Sequence, residues 1–217
     1  MADMSMSHGS GAAADEVHPL VVRITHWVNA FAMILMILSG WRIYNASPIF
    51  GFRFPDQLTL GAWLGGALAW HFAAMWLLAI NGLVYVVYGF ASGHFKRDFW
   101  PIRPVDVWND FRAALTFKLA HRLGTYNSVQ KLLYAGVVFL AAAAIVSGLS
   151  IWKPVQFYPL TWLLGGYDFA RIVHFLAMSG IVGFLVVHIA LVALVPSTFV
   201  PMITGRAAAA HEGETTR

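Results

Sequence analysis

The sequence predicts an all-α integral membrane fold, a bundle of four transmembrane helices with both termini on the cytoplasmic side. Its 217 residues are 59% hydrophobic and 11% charged, with a mean hydropathy of +0.67, more apolar surface than a soluble domain of this size can hide. Four apolar stretches each provide the roughly 20 helical residues needed to cross a hydrocarbon core. Basic residues gather in one loop, as the positive-inside rule requires of a cytoplasmic segment.

Residues 1–19 carry Asp15 and Glu16 among Gly, Ala and Ser, without the basic start and apolar core of a cleaved signal peptide, and read as a disordered cytoplasmic tail. The helices are placed at about residues 20–43, 58–90, 131–152 and 168–195, with Pro19, Pro55, Pro154 and Pro196 near their ends. Lipid offers backbone groups no partner, which forces helix on these segments despite the β-branched residues of the third and fourth. The second stretch exceeds the length a bilayer requires, so its helix is expected to project beyond it. The bundle domain runs over residues 20–206, and residues 207–217 read as a second disordered cytoplasmic tail.

Residues 91–131 hold Lys96, Arg97, Arg103, Arg112, Lys118, Arg122 and Lys131, whereas residues 41–57 hold only Arg42 and Arg53, and the last short loop only Lys153. The short loops are therefore expected outside, and Trp41, Tyr44, Trp152 and Tyr158 fall at that boundary, where amphipathic rings are favoured. The same distribution accounts for the net charge of +4 by membrane topology, with lipid rather than nucleic acid as the partner. The absence of cysteine excludes cysteine-ligated iron–sulfur clusters, covalent C-x-x-C-H haem attachment and disulfides within this chain.

A weak internal repeat pairs His71-Phe-Ala-Ala-Met with His174-Phe-Leu-Ala-Met, and Ile37-Leu-Ser-Gly40 with Ile145-Val-Ser-Gly148. It suggests two similar helical hairpins related by an axis along the membrane normal.

Ionisable side chains are costly inside a membrane, so each one there is a functional candidate. Of nine histidines, four qualify: His26, His71, His174 and His188. The 14 residues from His174 to His188 return to within roughly 40° of the starting direction and rise about 21 Å, which suits two cofactors stacked at different depths. An iron porphyrin with two axial histidines needs ligands from facing helices at one level. His26 and His188 lie about 10 and 12 Å from the proposed cytoplasmic ends of their helices and form an inner pair. His71 and His174 agree in height within about one turn and form an outer pair. No acidic residue interrupts the spans, as a proton relay would require, and no H-E-x-x-H motif points to zinc.

With these residues in place, the chain resembles the bacterial cytochrome b561 and nickel-hydrogenase cytochrome b family, which includes the gamma subunit of membrane formate dehydrogenase. The resemblance covers about residues 18–206 and rests on Arg23-Ile-Thr-His26-Trp27, on His174 and His188, and on Gly124-Thr-Tyr-Asn-Ser-Val-Gln-Lys131. It implies two non-covalent haem b groups with the same ligand pairing. It also implies a quinone pocket bordered by Tyr126, Asn127, Gln130 and Lys131 beside the inner haem, with Asn127 donating to a quinone carbonyl. Arg23 and Arg171 each precede a ligand histidine by three residues and are candidates for pairing with haem propionates.

The function this implies is an electron-transfer and quinone-reducing subunit of a complex in the bacterial inner membrane, multi-pass, rather than an independent enzyme. Electrons would enter from a periplasmic oxidoreductase partner at the outer level and leave to quinone at the inner level. A molybdopterin enzyme is the favoured partner, with a hydrogenase or formate dehydrogenase module as other candidates for the same face. The competing readings are a stand-alone dihaem quinone oxidoreductase acting on a small redox molecule, and a haem-free transporter or anchor.

Overall fold

The computed structural model describes residues 18–93 and 128–206. Both proposed tails lie outside those residues except for His18, Pro19 and their continuation into the first helix. Four long helices dominate: α1 (Leu20–Ala46), α2 (Leu64–Ala91), α3 (Ser128–Trp152) and α5 (Tyr167–Leu194). Two short ones, α4 (Tyr158–Leu163) and α6 (Phe199–Thr204), were not anticipated. All four long helices are extended and apolar enough to cross a membrane, and the chain is a multi-pass, all-α membrane protein.

The interior of the bundle is the reverse of a soluble core. Thr25, Ala32 and Ser39 on α1 and Ala67, Ala74 and Asn81 on α2 are buried at intervals of seven, with Ile37, Tyr44, Asn45 and Gly89 beside them, while Phe31, Trp76, Leu83, Phe139 and Val186 are exposed. Lipid tails are as apolar as leucine, so large side chains gain nothing by turning inward. Close backbone approach through small residues supplies the packing instead. Ala170 and Ala177 on α5 and Ser147 and Ser150 on α3 repeat the pattern in the second hairpin. Within each hairpin the partner helices, α1 with α2 and α3 with α5, pack along their length; between hairpins the described backbones scarcely approach each other. The bundle is thus two tight pairs with a slot between them.

One boundary differs from expectation in a way that bears on the slot. α2 begins at Leu64 and not near residue 58, because Gly61 and Ala62 adopt positive φ of 110° and 57° and turn the chain sharply. A Cβ on Gly61 would lie 2.4 Å from the Ala67 backbone, so the turn requires glycine. Arg42 holds the loop by donating to the Asp56 carboxylate and the Ala62 carbonyl. The second helix is therefore shorter at this end than expected; the continuous apolar run concealed a loop. At the other hairpin, Gly165 and Gly166, with φ of 78° and 103°, make the turn into α5. His71 and His174 consequently stand equally far, seven residues, from the starts of α2 and α5.

The C-terminal segment returns to the start of α1. Pro196 breaks α5, the Trp27 indole donates to the Met202 carbonyl at 3.2 Å, and Trp27 meets Phe199 edge to face.

Candidate metal centre

The four intramembrane histidines project into the slot as two cross-hairpin pairs. His26 of α1 faces His188 of α5, with ring centres 6.1 Å apart. His71 of α2 faces His174 of α5, with ring centres 6.4 Å apart. The first pair lies toward the ends that carry the chain termini, the terminal level, and the second toward the short loops, the loop level. The geometry brings together the four residues that spacing alone had paired.

That separation is informative about chemistry. One metal ion between two imidazoles, at about 2 Å from each coordinating nitrogen, sets the ring centres about 6 Å apart. Direct hydrogen bonding between the rings would draw them closer. Among the described residues no group of three or more His, Asp or Glu could hold a metal, so a metal at either level would take at most two protein ligands from these histidine pairs. A porphyrin would supply the remaining donors from a position between the hairpins.

At the loop level each histidine is anchored from behind. Ser39 Oγ lies 3.0 Å from His71 Nδ1. Ser147 Oγ lies 3.2 Å from His174 Nδ1, and the Ala144 carbonyl 2.9 Å from the same atom. The next residue in each helix is glycine: a Cβ on Gly40 would lie 3.4 Å from His71 Cε1, and one on Gly148 3.2 Å from His174 Cε1. The two Ser-Gly segments are the repeat seen in the sequence. Their place as notches for the His71 and His174 rings was not recognised there, because only the fold shows what each faces.

At the terminal level the anchors are aromatic. Trp27 meets His26 edge to face at 5.3 Å, and Phe184 stacks on His188 at 5.9 Å and 13°. Neither histidine forms a hydrogen bond with any described residue.

Among the described residues, two buried donors lack a partner: Arg23 Nε and Trp41 Nε1. Arg23 packs against Gly205 near the terminal level. Trp41 stacks on Phe54 and lines a cavity of about 120 Å³ with Met178, Ser179 and Val182, spanning both hairpins toward the loop level. Orphaned donors beside the slot fit a cofactor that carries carboxylates. Arg171 donates to the Ser47 carbonyl and to Ser47 Oγ and lies 3.9 Å from Asp168. Tyr126 and Asn127 lie outside the described residues, and Gln130 and Lys131 fall on the first turns of α3.

A membrane bundle that sets histidine pairs across an inter-hairpin slot defines the class of membrane b-type cytochromes. The chain belongs to the prokaryotic cytochrome b561 family, whose model matches residues 17–205. It is 48% identical over 190 residues to a putative protein-methionine-sulfoxide reductase subunit, YedZ1, of Azospira oryzae, covering 87% of this chain and 96% of that one. It is 27% identical over 206 residues to a probable Ni/Fe-hydrogenase B-type cytochrome subunit of Bradyrhizobium diazoefficiens, covering 87% and 81%. It is 26% identical over 192 residues to the formate dehydrogenase cytochrome b556(fdo) subunit of Escherichia coli K12, covering 84% and 81%. No solved structure matches.

Proposed function

We propose that this chain binds two haem b groups, one between His26 and His188 and one between His71 and His174, and carries electrons between the quinone pool and an oxidoreductase partner. The observation that carries the reading is the pair of cross-hairpin ring separations, 6.1 and 6.4 Å, each suited to one six-coordinate iron. Bound haem supplies the one-electron chemistry; the protein supplies ligands, spacing and a low-dielectric sheath.

Arg23, Arg171 and the Trp41 indole are the residues we assign to the haem propionates, the first and third on the strength of their unpaired buried donors. Arg171 would exchange its bonds to Ser47 for a propionate. Tyr126, Asn127, Gln130 and Lys131 are assigned to quinone at the terminal level, on the basis of the family resemblance of that segment. Membership in a prokaryotic family and the loop charges support a bacterial inner membrane location, with the terminal level cytoplasmic and the loop level periplasmic.

Relatives of this chain are named as subunits of oxidoreductases, so we assign the catalytic step to a partner at the periplasmic face, for which we favour a molybdopterin enzyme. The relative at 48% identity is named for a sulfoxide reductase, and reducing a sulfoxide to a thioether and water consumes two electrons and two protons. We therefore assign net flow from quinol at the terminal level outward to the partner, the reverse of the direction expected from sequence alone.

Pyridine haemochrome analysis of the purified full-length protein tests the core of this reading. Two haem b per chain are expected, falling to one in His188→Ala. A colourless preparation made with ample haem supply, or a His188→Ala protein that keeps both haems, would refute it.

A further inference from the structure

We propose that Ser39 and Ser147 are positioning residues that fix the protonation of His71 and His174 and lower the reduction potential of the loop-level haem site. The inference rests on the dihaem reading above.

Ser147 Oγ gives its own proton to the Ala143 carbonyl at 2.6 Å, and Ser39 Oγ gives its proton to the Leu35 carbonyl. Each hydroxyl then has only lone pairs to offer the neighbouring imidazole, so histidine Nδ1 must be the donor. The Ala144 carbonyl at 2.9 Å enforces the same assignment for His174, since a carbonyl can only accept. With the proton on Nδ1, Nε2 carries the free lone pair that binds a metal. Both serines are fully buried, so water has no access to replace their oxygens.

An acceptor on Nδ1–H also pushes electron density through the ring to Nε2. The ligand becomes more basic, stabilises ferric over ferrous iron and lowers the reduction potential. Both loop-level ligands receive this push. Neither His26 nor His188 makes a hydrogen bond with a described residue; aromatic contacts hold them without polarising the ring. The two levels are therefore electronically unequal although each is a histidine pair.

Buried helical serines commonly bond back to the carbonyl four residues earlier, which alone would assign these two no role. Ser150 supplies the comparison within the same helix. It is buried and bonds back to the Val146 carbonyl at 2.9 Å, yet contacts no ligand histidine. What back-bonding leaves unexplained is that equivalent serines in the two hairpins each meet a ligand Nδ1, with a glycine next in sequence that admits the ring.

The test is a potentiometric titration of the purified full-length protein, followed at the haem α-band, on wild type, Ser39→Ala, Ser147→Ala, the double variant and Ser150→Ala. Two haems per wild-type chain must first be found; otherwise the dihaem reading itself fails. Given that, one wave should move to higher potential in each single variant and further in the double, by about a tenfold change in the ferrous-to-ferric ratio, about 59 mV for one electron. That wave should be the one that survives in His188→Ala, and Ser150→Ala should move neither. Loss of the loop-level haem in the alanine variants, with retention in Ser39→Thr and Ser147→Thr, also supports the role of the hydroxyl. An unmoved pair of waves with full haem content, an equal shift in Ser150→Ala, movement of the other wave, or haem loss in both the alanine and threonine series overturns the inference.

Discussion

At the loop level each histidine is gripped through Nδ1 by a serine hydroxyl, joined at His174 by a helix carbonyl, whereas at the terminal level His26 and His188 sit against Trp27 and Phe184. The first arrangement is duplicated across the two hairpins and the second is not. Residues that obey the internal repeat, Ser39 with Ser147 and His71 with His174, all belong to the loop level. The terminal level uses His26, in a helix whose counterpart α3 supplies no histidine to the slot. A duplicated hairpin can thus keep one site symmetrical while the other diverges, provided that the slot between the hairpins stays open along its length.

Steric room behind the ring should break the comparison most severely. A Cβ on Gly148 would already stand 3.2 Å from His174 Cε1, and two further methyl carbons cannot be placed without moving the imidazole off the slot. Gly148→Val is expected to lose the loop-level haem, halving haem content by pyridine haemochrome, with the terminal haem intact. Gly40→Val should act in the same direction and less severely, since its Cβ would be 3.4 Å from His71 Cε1. Gly183→Val is the control, because an added Cβ there meets nothing within 4 Å. Full haem content in Gly148→Val would show that the notch has no bearing on the ligand.

A smaller effect is expected from loosening the terminal level. Phe184 stacks on His188 at 13° between ring planes, and such a contact contributes about 1 kcal/mol beyond area burial. Phe184→Leu keeps the apolar volume and removes the stack. Haem affinity at the terminal level should fall by roughly the tenfold that 1.4 kcal/mol represents, or less, measured as the rate of haem transfer to an apo-acceptor protein. The loop-level titration wave should not move. An equal loss from both levels would mean that Phe184 supports the bundle as a whole rather than His188.

Much of this was legible before any coordinates. Lipid imposes helix on a long apolar run, and α1, α3 and α5 begin and end within a few residues of their expected positions. Helical rise and period alone paired His26 with His188 and His71 with His174, because within a membrane depth is nearly a one-dimensional coordinate. The start of α2 was not legible: Leu58 to Trp63 are as apolar as the helix that follows, and the break lies in the backbone angles of Gly61 and Ala62. Ser39 and Ser147 stood in the repeat as residues without a task, since serine in an apolar helix commonly bonds its own backbone. Only the packing of α1 on α2 and of α3 on α5 reveals the ring that each meets. Trp41 was read as an interfacial aromatic, and its unpaired N–H beside the slot appears only in the fold.

Hydrogen bonding is present in the terminal half too, but it joins helices there instead of ligands. Asn81 of α2, buried to 8% exposure, donates to the Thr25 carbonyl at 2.8 Å and to Asn29 Oδ1 at 2.7 Å, clasping α1 beside His26. Polar bonds between membrane helices contribute about 0.6 kcal/mol on average, because the separated helices find other partners in the membrane. Asn81→Leu should therefore lower the thermal midpoint in detergent by only a few degrees, and a double-mutant cycle with Asn29→Ala should return a coupling of about that size. Both titration waves should stay at their wild-type potentials, since neither amide touches a ligand ring. A shift of the terminal wave in Asn81→Leu would mean that the clasp acts on His26 through α1, and the distinction between polarised and unpolarised ligand pairs would then have to be redrawn.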